Sequence, residues 1–344
     1  MTDAKRAIRY DHVDDLCIIT CIFNPSGLKR RLQNYLAFAK PLLESGIAFF
    51  TVECAFADCD WILAKSENVI QVRSRAVLWQ KERLLNLALS HVGARFTKIV
   101  WLDCDVLFTN PNWAVITSRL LEEFPVVQPF DRAIQLSEAG MVDDGMVETM
   151  MVDEANGIQF RSFAAVKQGF EALLDGEAGG TPALPDGEAG GTPALPWGHS
   201  HGHTGLAWAA RYEVLKRHGL YDAAIAGGAD DFMAHAMFGE FGSTCVTELM
   251  SPAALGHFQA WAEPFYQSVK GKVGVAPGTV LSLWHGSRKE RRYLERHSQL
   301  RRFHFDPHKA IALGPEGTWE WRSWNPVLHW WVRRYFASRA EDQG

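Results

Sequence analysis

The sequence predicts an α/β fold in which a single large domain is built on a mainly parallel β-sheet flanked by helices. The length of 344 residues suits one large domain. A hydrophobic fraction of 47% and a charged fraction of 22% are typical of a globular protein with a full core, and they exclude a disordered chain. Short apolar runs alternate with amphipathic segments through the first 130 residues, which is the order that builds parallel sheets.

The first half of the chain supplies most of this pattern. Leu16–Phe23 is a continuous apolar run, as expected of a strand buried on both faces, and it ends at the turn residues 24–27. The elements predicted next, in chain order, are a helix from Leu28 to Leu43, strands at Ile47–Val52 and Val69–Val72, an amphipathic helix over 78–90, and a strand at Lys98–Leu102.

The second half is interrupted by a perfect tandem repeat. The sequence DGEAGGTPALP occupies 175–185 and again 186–196. Its Gly, Pro and Ala content predicts a surface insertion without a catalytic role. Beyond it we predict a strand running into a helix over Thr204–His218, a helix over 229–238, a core strand at Val280–Trp284 and a helix over Pro326–Arg339.

Charge and cysteine usage narrow the functional classes. The net charge of −5 argues against general nucleic-acid binding. The six cysteines contain no CxxC pair, which indicates reduced, buried thiols of a cytosolic protein. The polar N-terminus lacks the apolar core of a signal peptide, and no apolar window is long enough to span a bilayer. A cytoplasmic location is therefore expected.

Asp103 and Asp105 form the sharpest chemical motif. Residues two apart on an extended segment point the same way, so both carboxylates can face one cation. Hard oxygens suit Mg²⁺ or Mn²⁺ held together with phosphate oxygens. A DxD tripeptide is common in ordinary loops. This one directly follows the predicted strand Lys98–Leu102, so it is expected at the carboxyl edge of the sheet, where ligands bind in α/β folds.

Two further segments carry candidate residues. Gly227 and Gly228 precede Asp230 and Asp231, and glycines allow the backbone to approach a ligand while a carboxylate projects into the cleft. The structural alternative is that these acids cap the following helix. His285 ends the predicted last core strand and is a candidate metal ligand, although a lone histidine is more often structural.

In their order along the chain, these motifs resemble the GT-A glycosyltransferases that use nucleotide sugars. IITCIFNPSGLKRRLQNYL is similar to their first βα unit, and WQKERLLN followed by KIVWLDCDVLF is similar to the helix–strand–DxD segment of metal-dependent galactosyltransferases. GLAWAARYEVLKRHGLYD leading to GGADD resembles the acceptor-side segment, and LWHG resembles the late metal-binding histidine. Two positions depart from that pattern: Ala229 replaces an acid and Phe23 a basic residue, so acceptor specificity does not carry over.

The resemblance implies a GT-A, Rossmann-like domain in three parts: a nucleotide-sugar-binding half over 1–130, an acceptor and metal-completing half over 131–310, and an aromatic, basic tail over 311–344. It further implies transfer of a sugar from a UDP-sugar to a carbohydrate or glycolipid acceptor. Direct displacement by an acceptor hydroxyl would invert the anomeric carbon, and a retaining reaction stays open at this point. The residue roles that it implies are metal ligation of Mn²⁺ or Mg²⁺ by Asp103, Asp105 and His285, nucleotide-sugar contacts by Asn24, Lys81, Asn86 and Asp103, and a catalytic base at Asp230.

Three alternatives stay open at this point. A sugar-nucleotidyltransferase would have a Gly-rich, basic loop after the first strand, whereas FNPSGLKRR holds one glycine. His199, His201 and His203 could share a metal on one face of a strand, although their neighbouring glycines favour a solvated loop. A carbohydrate-binding protein without catalysis could also use this fold.

The basic and aromatic C-terminal region has two interpretations. Leu328, Trp331, Val332 and Tyr335 fall on one helical face, which we expect to pack on the domain itself. The alternative is that this face lies on an anionic bilayer and brings the protein to a lipid-linked acceptor. The charged run from Arg288 to Arg302 is predicted to be a solvated helix face, with phosphate binding as the alternative.

Overall fold

A computed structural model of the chain describes residues 8–57, 59–138, 141–142, 151–152, 157–175, 202–286 and 293–339. Within these ranges the strands, numbered in chain order, are β1 Leu16–Phe23, β2 Ala48–Phe56, β3 Val69–Ser74, β4 Lys98–Leu102, β5 Val106–Phe108, β6 Val126–Gln128, β7 Arg132–Leu136, β8 Met141–Val142, β9 Met151–Val152, β10 Gly157–Arg161, β11 Ala207–Arg211, β12 Val273–Val275, β13 Thr279–Ser282, β14 Ile311–Leu313 and β15 Trp319–Trp321.

The helices follow the predicted order with several additions. They are α1 Lys29–Ser45, α2 Lys81–Val92, α3 Trp113–Glu123, α4 Phe163–Asp175, α5 Tyr212–His218, α6 Ala229–Met237, α7 Thr244–Thr247, α8 Pro252–Val269, α9 Tyr293–Arg302, α10 Pro307–Ala310 and α11 Pro326–Ala337, with a 3₁₀ turn at Gly93–Arg95. No helix in the described part of the chain is both long and apolar enough to cross a membrane. The repeat over 175–196, which is predicted to be a surface insertion, lies outside the described residues except for its first position, at the end of α4.

The central sheet confirms the predicted α/β class. Its seven strands run in the order β12-β6-β11-β4-β1-β2-β3. β1 pairs in parallel with β2 and β4, and β2 pairs in parallel with β3. β11 is the exception within this sheet, because it runs antiparallel to both β4 and β6. The sheet is therefore mainly parallel, and it takes strands from both halves of the chain.

Strand β1 shows why its apolar run has no alternation. Every residue of β1 is buried. Ile18 and Ile22 belong to one core cluster, whereas Ile19 and Phe23 belong to another. Since successive strand residues point to opposite faces, both faces of the sheet are covered and both must be apolar.

A second, four-stranded sheet in the order β10-β7-β13-β5 lies at the end of β4. The chain leaves the central sheet at Leu102 and enters the second sheet at Val106, so Asp103, Cys104 and Asp105 form the crossing between the two. β5 pairs with β13, which precedes His285 by three residues. The second sheet thereby brings the late histidine beside the DxD motif.

The C-terminal helix α11 packs on the domain, as expected. Leu328, Val332 and Tyr335 are buried, and Trp331 is half-buried. The aromatic stripe is therefore occupied by contacts within the chain and is not available to a bilayer. The prediction of buried cysteines holds for Cys17, Cys21 and Cys54, whereas Cys104 and Cys245 are half-buried and Cys59 is exposed.

Candidate active site

A cavity of about 360 Å³ opens at the carboxyl ends of β1 and β4. Its lining includes five of the predicted site residues, which come from α2, the DxD crossing, α6 and the segment after β13: Lys81, Asp103, Asp105, Asp230 and His285. A cavity of this size that gathers several ionisable side chains is the usual form of a small-molecule site.

Lys81 is the electrostatic centre of the cavity. It is the first residue of α2, and its Nζ lies 2.5 Å from Oδ1 of Asp103 and 3.6 Å from Oδ2 of Asp230. Burial alone would lower the pKa of Lys81, but the two carboxylates outweigh it and raise the pKa well above its usual range. Lys81 is therefore a fixed positive charge that joins the DxD motif to the α6 acid.

Asp105 and His285 form a second pair. Nδ1 of His285 lies 3.0 Å from Oδ2 of Asp105 and 2.8 Å from the carbonyl oxygen of Leu283. The ring nitrogen and the carboxylate oxygen of this pair therefore lie close enough together to be neighbouring ligands of one cation.

The loop before α6 brings Asp230 close to the backbone of Gly205. Gly227 and Gly228 have φ angles of 87° and 92°, which favour glycine. A Cβ added to Gly205 would lie 2.6 Å from Oδ2 of Asp230. The helix begins after Gly228, so Asp230 and Asp231 occupy its first turn and are not the N-cap. There they interact favourably with the helix dipole.

The donor set fits a divalent ion that accepts both oxygen and nitrogen. Among the described residues, no three His, Cys, Asp or Glu side chains stand together as a complete metal site. Asp105 and His285 are in contact, however, and Asp103 stands two residues before Asp105, with its Oδ1 ion-paired to Lys81. Two or three protein ligands with substrate phosphate oxygens suit Mg²⁺ or Mn²⁺, and the imidazole nitrogen favours Mn²⁺.

Asn24 and Asn86, predicted to contact the nucleotide sugar, lie outside the cavity lining. The Asn24 amide accepts from and donates to the backbone of Leu28 at the start of α1. Asn86 donates from Nδ2 to the Leu220 carbonyl and to Asp222, and its Oδ1 accepts from the Leu220 N–H. Both amide side chains therefore form hydrogen bonds that fix neighbouring segments of the chain, and neither side chain reaches the cavity.

His203 is the one member of the alternative histidine set that the structure describes, since His199 and His201 lie outside the described residues. It lines the cavity, and its Nδ1 accepts from the backbone N–H of Gly205. This hydrogen bond fixes the His203 ring next to Gly205, whose backbone lies close to Asp230.

Several cavity residues were not predicted. Arg296 and His297 belong to the charged run expected to be solvated, yet they are only 5% and 6% exposed and they line the cavity. That prediction was wrong at these two positions, because α9 turns them towards the loop that precedes α6. Trp79, Arg339 and Asn34 also line the cavity, and Oδ1 of Asn34 is buried without a hydrogen-bond partner. Two sequence signals pointed towards this group: Trp79 stands two residues before Lys81, and Arg296 lies in the basic run for which phosphate binding was the alternative.

Comparisons with known proteins add little to this geometry. No protein-family model and no curated protein matches the chain. Among solved structures, it is similar to 4-diphosphocytidyl-2C-methyl-D-erythritol synthase from Anaerococcus prevotii DSM 20548, at 11% sequence identity and a TM-score of 0.30, over 77% of this chain and 90% of that one. A likeness at this level carries no argument about activity.

Proposed function

We propose that the protein is a metal-dependent glycosyltransferase that moves a sugar from a nucleoside diphosphate sugar to an acceptor hydroxyl. The observation that carries the proposal is the charge arrangement in one cavity. Lys81 bridges Asp103 and Asp230, and the Asp105–His285 pair stands beside Asp103. The proposal is supported because the side chains that would bind a cation with a diphosphate, and the carboxylate that would act as base, line the same small cavity.

The residues take distinct roles in this reaction. Asp105 and His285, assisted by Asp103, would hold Mn²⁺ or Mg²⁺, which when bound supplies Lewis-acid stabilisation of the leaving diphosphate. Lys81 contributes a second, permanent positive charge next to Asp103. Asp230 accepts the proton of the acceptor hydroxyl while the oxygen bonds to the anomeric carbon and the bond from that carbon to the phosphate oxygen breaks. The outcome of such a direct displacement is inversion at the anomeric carbon.

Nucleotidyl transfer is the second candidate. The solved neighbour is, by its name, a synthase of a diphosphocytidyl compound, but its likeness to this chain does not decide between the two reactions. Two features favour glycosyl transfer. The turn after β1 holds one glycine, Gly27, where a phosphate-cradling loop would need several. A phosphate nucleophile needs no base, whereas Asp230 stands beside Lys81 as a base for a hydroxyl.

A product assay tests the proposal and separates the two candidates. The purified protein is incubated with Mn²⁺ and UDP-, GDP- or CMP-sugars, and separately with nucleoside triphosphates plus sugar 1-phosphates. We expect metal-dependent release of free nucleotide from one nucleotide sugar. Pyrophosphate release in the second set would establish nucleotidyl transfer, and no turnover in either set would contradict both.

The Asp230 role has its own variant. Asp230→Asn should lower turnover about 10²-fold or more while the affinity for the donor changes less than twofold, because a general base acts mainly in the transition state. Asp231→Asn is the matched control in the same helical turn and should turn over normally. Normal turnover by Asp230→Asn would move the base elsewhere.

For the acceptor we propose a carbohydrate or glycolipid hydroxyl, and for the glycolipid case a peripheral contact through the outer face of α11. Trp324, Val327 and Trp330 are 87%, 61% and 58% exposed, and Arg333 and Arg334 are exposed beside them. Aromatic and cationic side chains together suit the interface of an anionic bilayer.

Vesicle pelleting tests this contact. Phosphatidylglycerol vesicles should pellet the protein, and the double variant Trp324→Ala/Trp330→Ala should remain in solution. Equal pelleting of both proteins, or none of either, would contradict the contact.

A further inference from the structure

Asn34 is a buried polar residue of the cavity that the proposed reaction does not use. It belongs to α1, it is only 1% exposed, and it lines the cavity. Its amide nitrogen Nδ2 donates to the carbonyl oxygen of Trp284 at 2.9 Å, but no described residue donates a hydrogen bond to its Oδ1. A buried acceptor without a partner is rare and costs stability, so we expect this oxygen to bind a group that is not part of the chain.

The contact with Trp284 fixes the orientation of the Asn34 amide. A backbone carbonyl oxygen only accepts hydrogen bonds, so the amide turns its nitrogen towards Trp284 and its oxygen away from it. Because the side chain is almost fully buried, it cannot rotate without losing this hydrogen bond. Asn34 therefore holds an amide oxygen in a fixed orientation at the lining of the cavity.

One face of α1 packs against the segment that carries His285. Arg30, Asn34 and Ala37 stand at positions i, i+4 and i+7 of the helix and share this face. The Arg30 guanidinium lies 5.5 Å from the centroid of the Trp284 ring, and Ala37 and Trp284 pack against the same core cluster. Since Asn34 bonds to the Trp284 carbonyl, its amide lies next to the peptide that leads into His285.

Asp105 contacts the same segment at two points. Its backbone carbonyl accepts from the N–H of Leu283 at 2.8 Å, and its Oδ2 lies 3.0 Å from Nδ1 of His285. Asn34 and Asp105 thus hold successive residues of one short segment, 283–285, from α1 and from the crossing between the sheets. Asn34, Asp105 and His285 all line the cavity, so the amide oxygen belongs to the neighbourhood of the candidate cation ligands.

The Asp105–His285 pair supplies fewer ligands than a divalent cation takes. Mg²⁺ and Mn²⁺ favour octahedral coordination, and amide carbonyl oxygens are among the hard ligands that suit them. In the part of the chain that the structure describes, no third His, Cys, Asp or Glu completes the site, and Oδ1 of Asp103 is ion-paired to Lys81. Asn34 provides a hard oxygen that has no competing hydrogen bond from any described residue.

We propose that Oδ1 of Asn34 is the third protein ligand of the divalent cation held by Asp105 and His285. The proposal rests on the proposed function for the presence of this cation. An amide adds no charge, so these three ligands neutralise only one of the two positive charges of the cation. The charge that remains attracts the diphosphate, whose oxygens share the coordination with water.

Mn²⁺ binding is measured first, by electron paramagnetic resonance of the free ion, with and without UDP. The wild-type protein is compared with Asn34→Ala, Asn34→Asp and Asn112→Ala. Asn112 is an exposed residue before α3 and serves as the matched control. We expect Asn34→Ala to bind Mn²⁺ about tenfold or more weakly, and the control to stay within about twofold of the wild-type protein.

Asn34→Asp separates a ligand from a residue that only positions the His285 segment. Both Asn34 variants lose the N–H donor to the Trp284 carbonyl, so a purely structural role predicts that both weaken Mn²⁺ binding equally. A ligand role predicts that Asn34→Asp binds Mn²⁺ at least as tightly as the wild-type protein, because it keeps an oxygen ligand and adds a negative charge. The same charge should reduce the Mn²⁺-dependent gain in UDP affinity by about threefold or more.

A spectroscopic signature reports ligation directly. Asn34→Cys places a thiol at the proposed ligand position, and thiolate is a soft ligand for transition metals. With Co²⁺ this variant should show the near-ultraviolet absorption of a thiolate–cobalt bond, which the wild-type protein and Asn112→Cys should lack. If the Asn34 variants do not fold, crystals of the wild-type protein with Mn²⁺ and UDP give the answer through the anomalous signal of the metal, which should lie at bonding distance from Oδ1 of Asn34.

The outcomes separate this proposal from the proposed function. Unchanged Mn²⁺ affinity in Asn34→Ala, equal weakening in Asn34→Ala and Asn34→Asp, or no cobalt–thiolate absorption in a folded Asn34→Cys would overturn the Asn34 ligand and leave the glycosyltransferase standing. Mn²⁺ binding that depends on Asn34, without release of nucleotide from any nucleotide sugar, would support the ligand set and contradict the glycosyltransferase. Absence of Mn²⁺ binding to the wild-type protein with and without UDP would contradict both.

Discussion

Replacement of Lys81 by Met tests the electrostatic arrangement of the cavity. The substitution leaves the Asp103 and Asp230 carboxylates without the ammonium group that lies 2.5 and 3.6 Å from them. At an effective dielectric constant of about 20, a pair of charges 3.6 Å apart interacts by about 4–5 kcal/mol. Removing one partner of a buried pair costs about 3–5 kcal/mol. Since the two carboxylates retain 27% and 25% exposure, we expect a loss in the free energy of unfolding of about 2–4 kcal/mol.

The assay is urea unfolding of the wild-type protein, Lys81→Met, Asp103→Asn and the double variant. The double-mutant cycle should give a coupling energy of about 2 kcal/mol. Lys65→Met removes an exposed lysine and should change stability by less than about 0.5 kcal/mol. A coupling energy below about 0.5 kcal/mol would show that the Lys81–Asp103 contact is screened by solvent, and it would contradict a fixed charge in the cavity.

Two further predictions concern the position of the base and stability in acid. Gly205→Ala places a Cβ 2.6 Å from Oδ2 of Asp230, so turnover should fall about tenfold or more while the donor affinity is unchanged. Gly256→Ala, which has open space around it, is the control and should leave turnover unchanged. Equal turnover by the two variants would contradict the geometry. Burial opposes ionisation of Glu240, but hydrogen bonds from His235 and Lys167 outweigh it and lower the pKa to about 2 from an ordinary value of 4.5. The stabilising contribution of the Glu240 carboxylate is therefore fully present above about pH 4.5, and it is lost as the pH falls towards 2. Because this side chain is partly exposed, we expect the contribution to be about 1–2 kcal/mol. Glu240→Gln should flatten the acid limb of an unfolding titration, and Glu44→Gln should not.

The elements that position the DxD motif were predictable from the sequence. Leu16–Phe23 and Lys98–Leu102 are buried on both faces, and their continuous apolar runs are typical of such strands. β1 and β4 accordingly have the predicted bounds. The helix predicted over 78–90 begins later, at Lys81. Its expected first turn is replaced by tertiary contacts, because the Trp79 N–H donates to the Ile225 carbonyl and the Gln80 side chain bonds to the backbone of Trp319.

The rest of the site depends on long-range packing that local pattern does not encode. Arg296 and His297 are two polar residues in a basic run, and they are buried by contacts of α9 with distant parts of the chain, among them the Gly227–Gly228 loop and Tyr335. Asn86 shows the opposite case. It stands in the motif that resembles a sugar-nucleotide site, yet its amide is saturated by the Leu220 backbone and Asp222. The direction of β11 was also beyond local pattern, since an antiparallel strand in the centre of the sheet is as apolar as a parallel one.

Calorimetric titration of UDP with and without Mn²⁺ tests the central claim most directly. The wild-type protein should bind UDP at least tenfold more tightly when Mn²⁺ is present, because the phosphate oxygens complete the coordination that Asp105 and His285 begin. Asp105→Ala should lose this gain while keeping its melting temperature within a few degrees, and Asp60→Asn, which changes an exposed acid, should behave like the wild-type protein. Equal UDP affinity with and without Mn²⁺ in the wild-type protein, or an unchanged gain in Asp105→Ala, would contradict the metal-assisted sugar-nucleotide site.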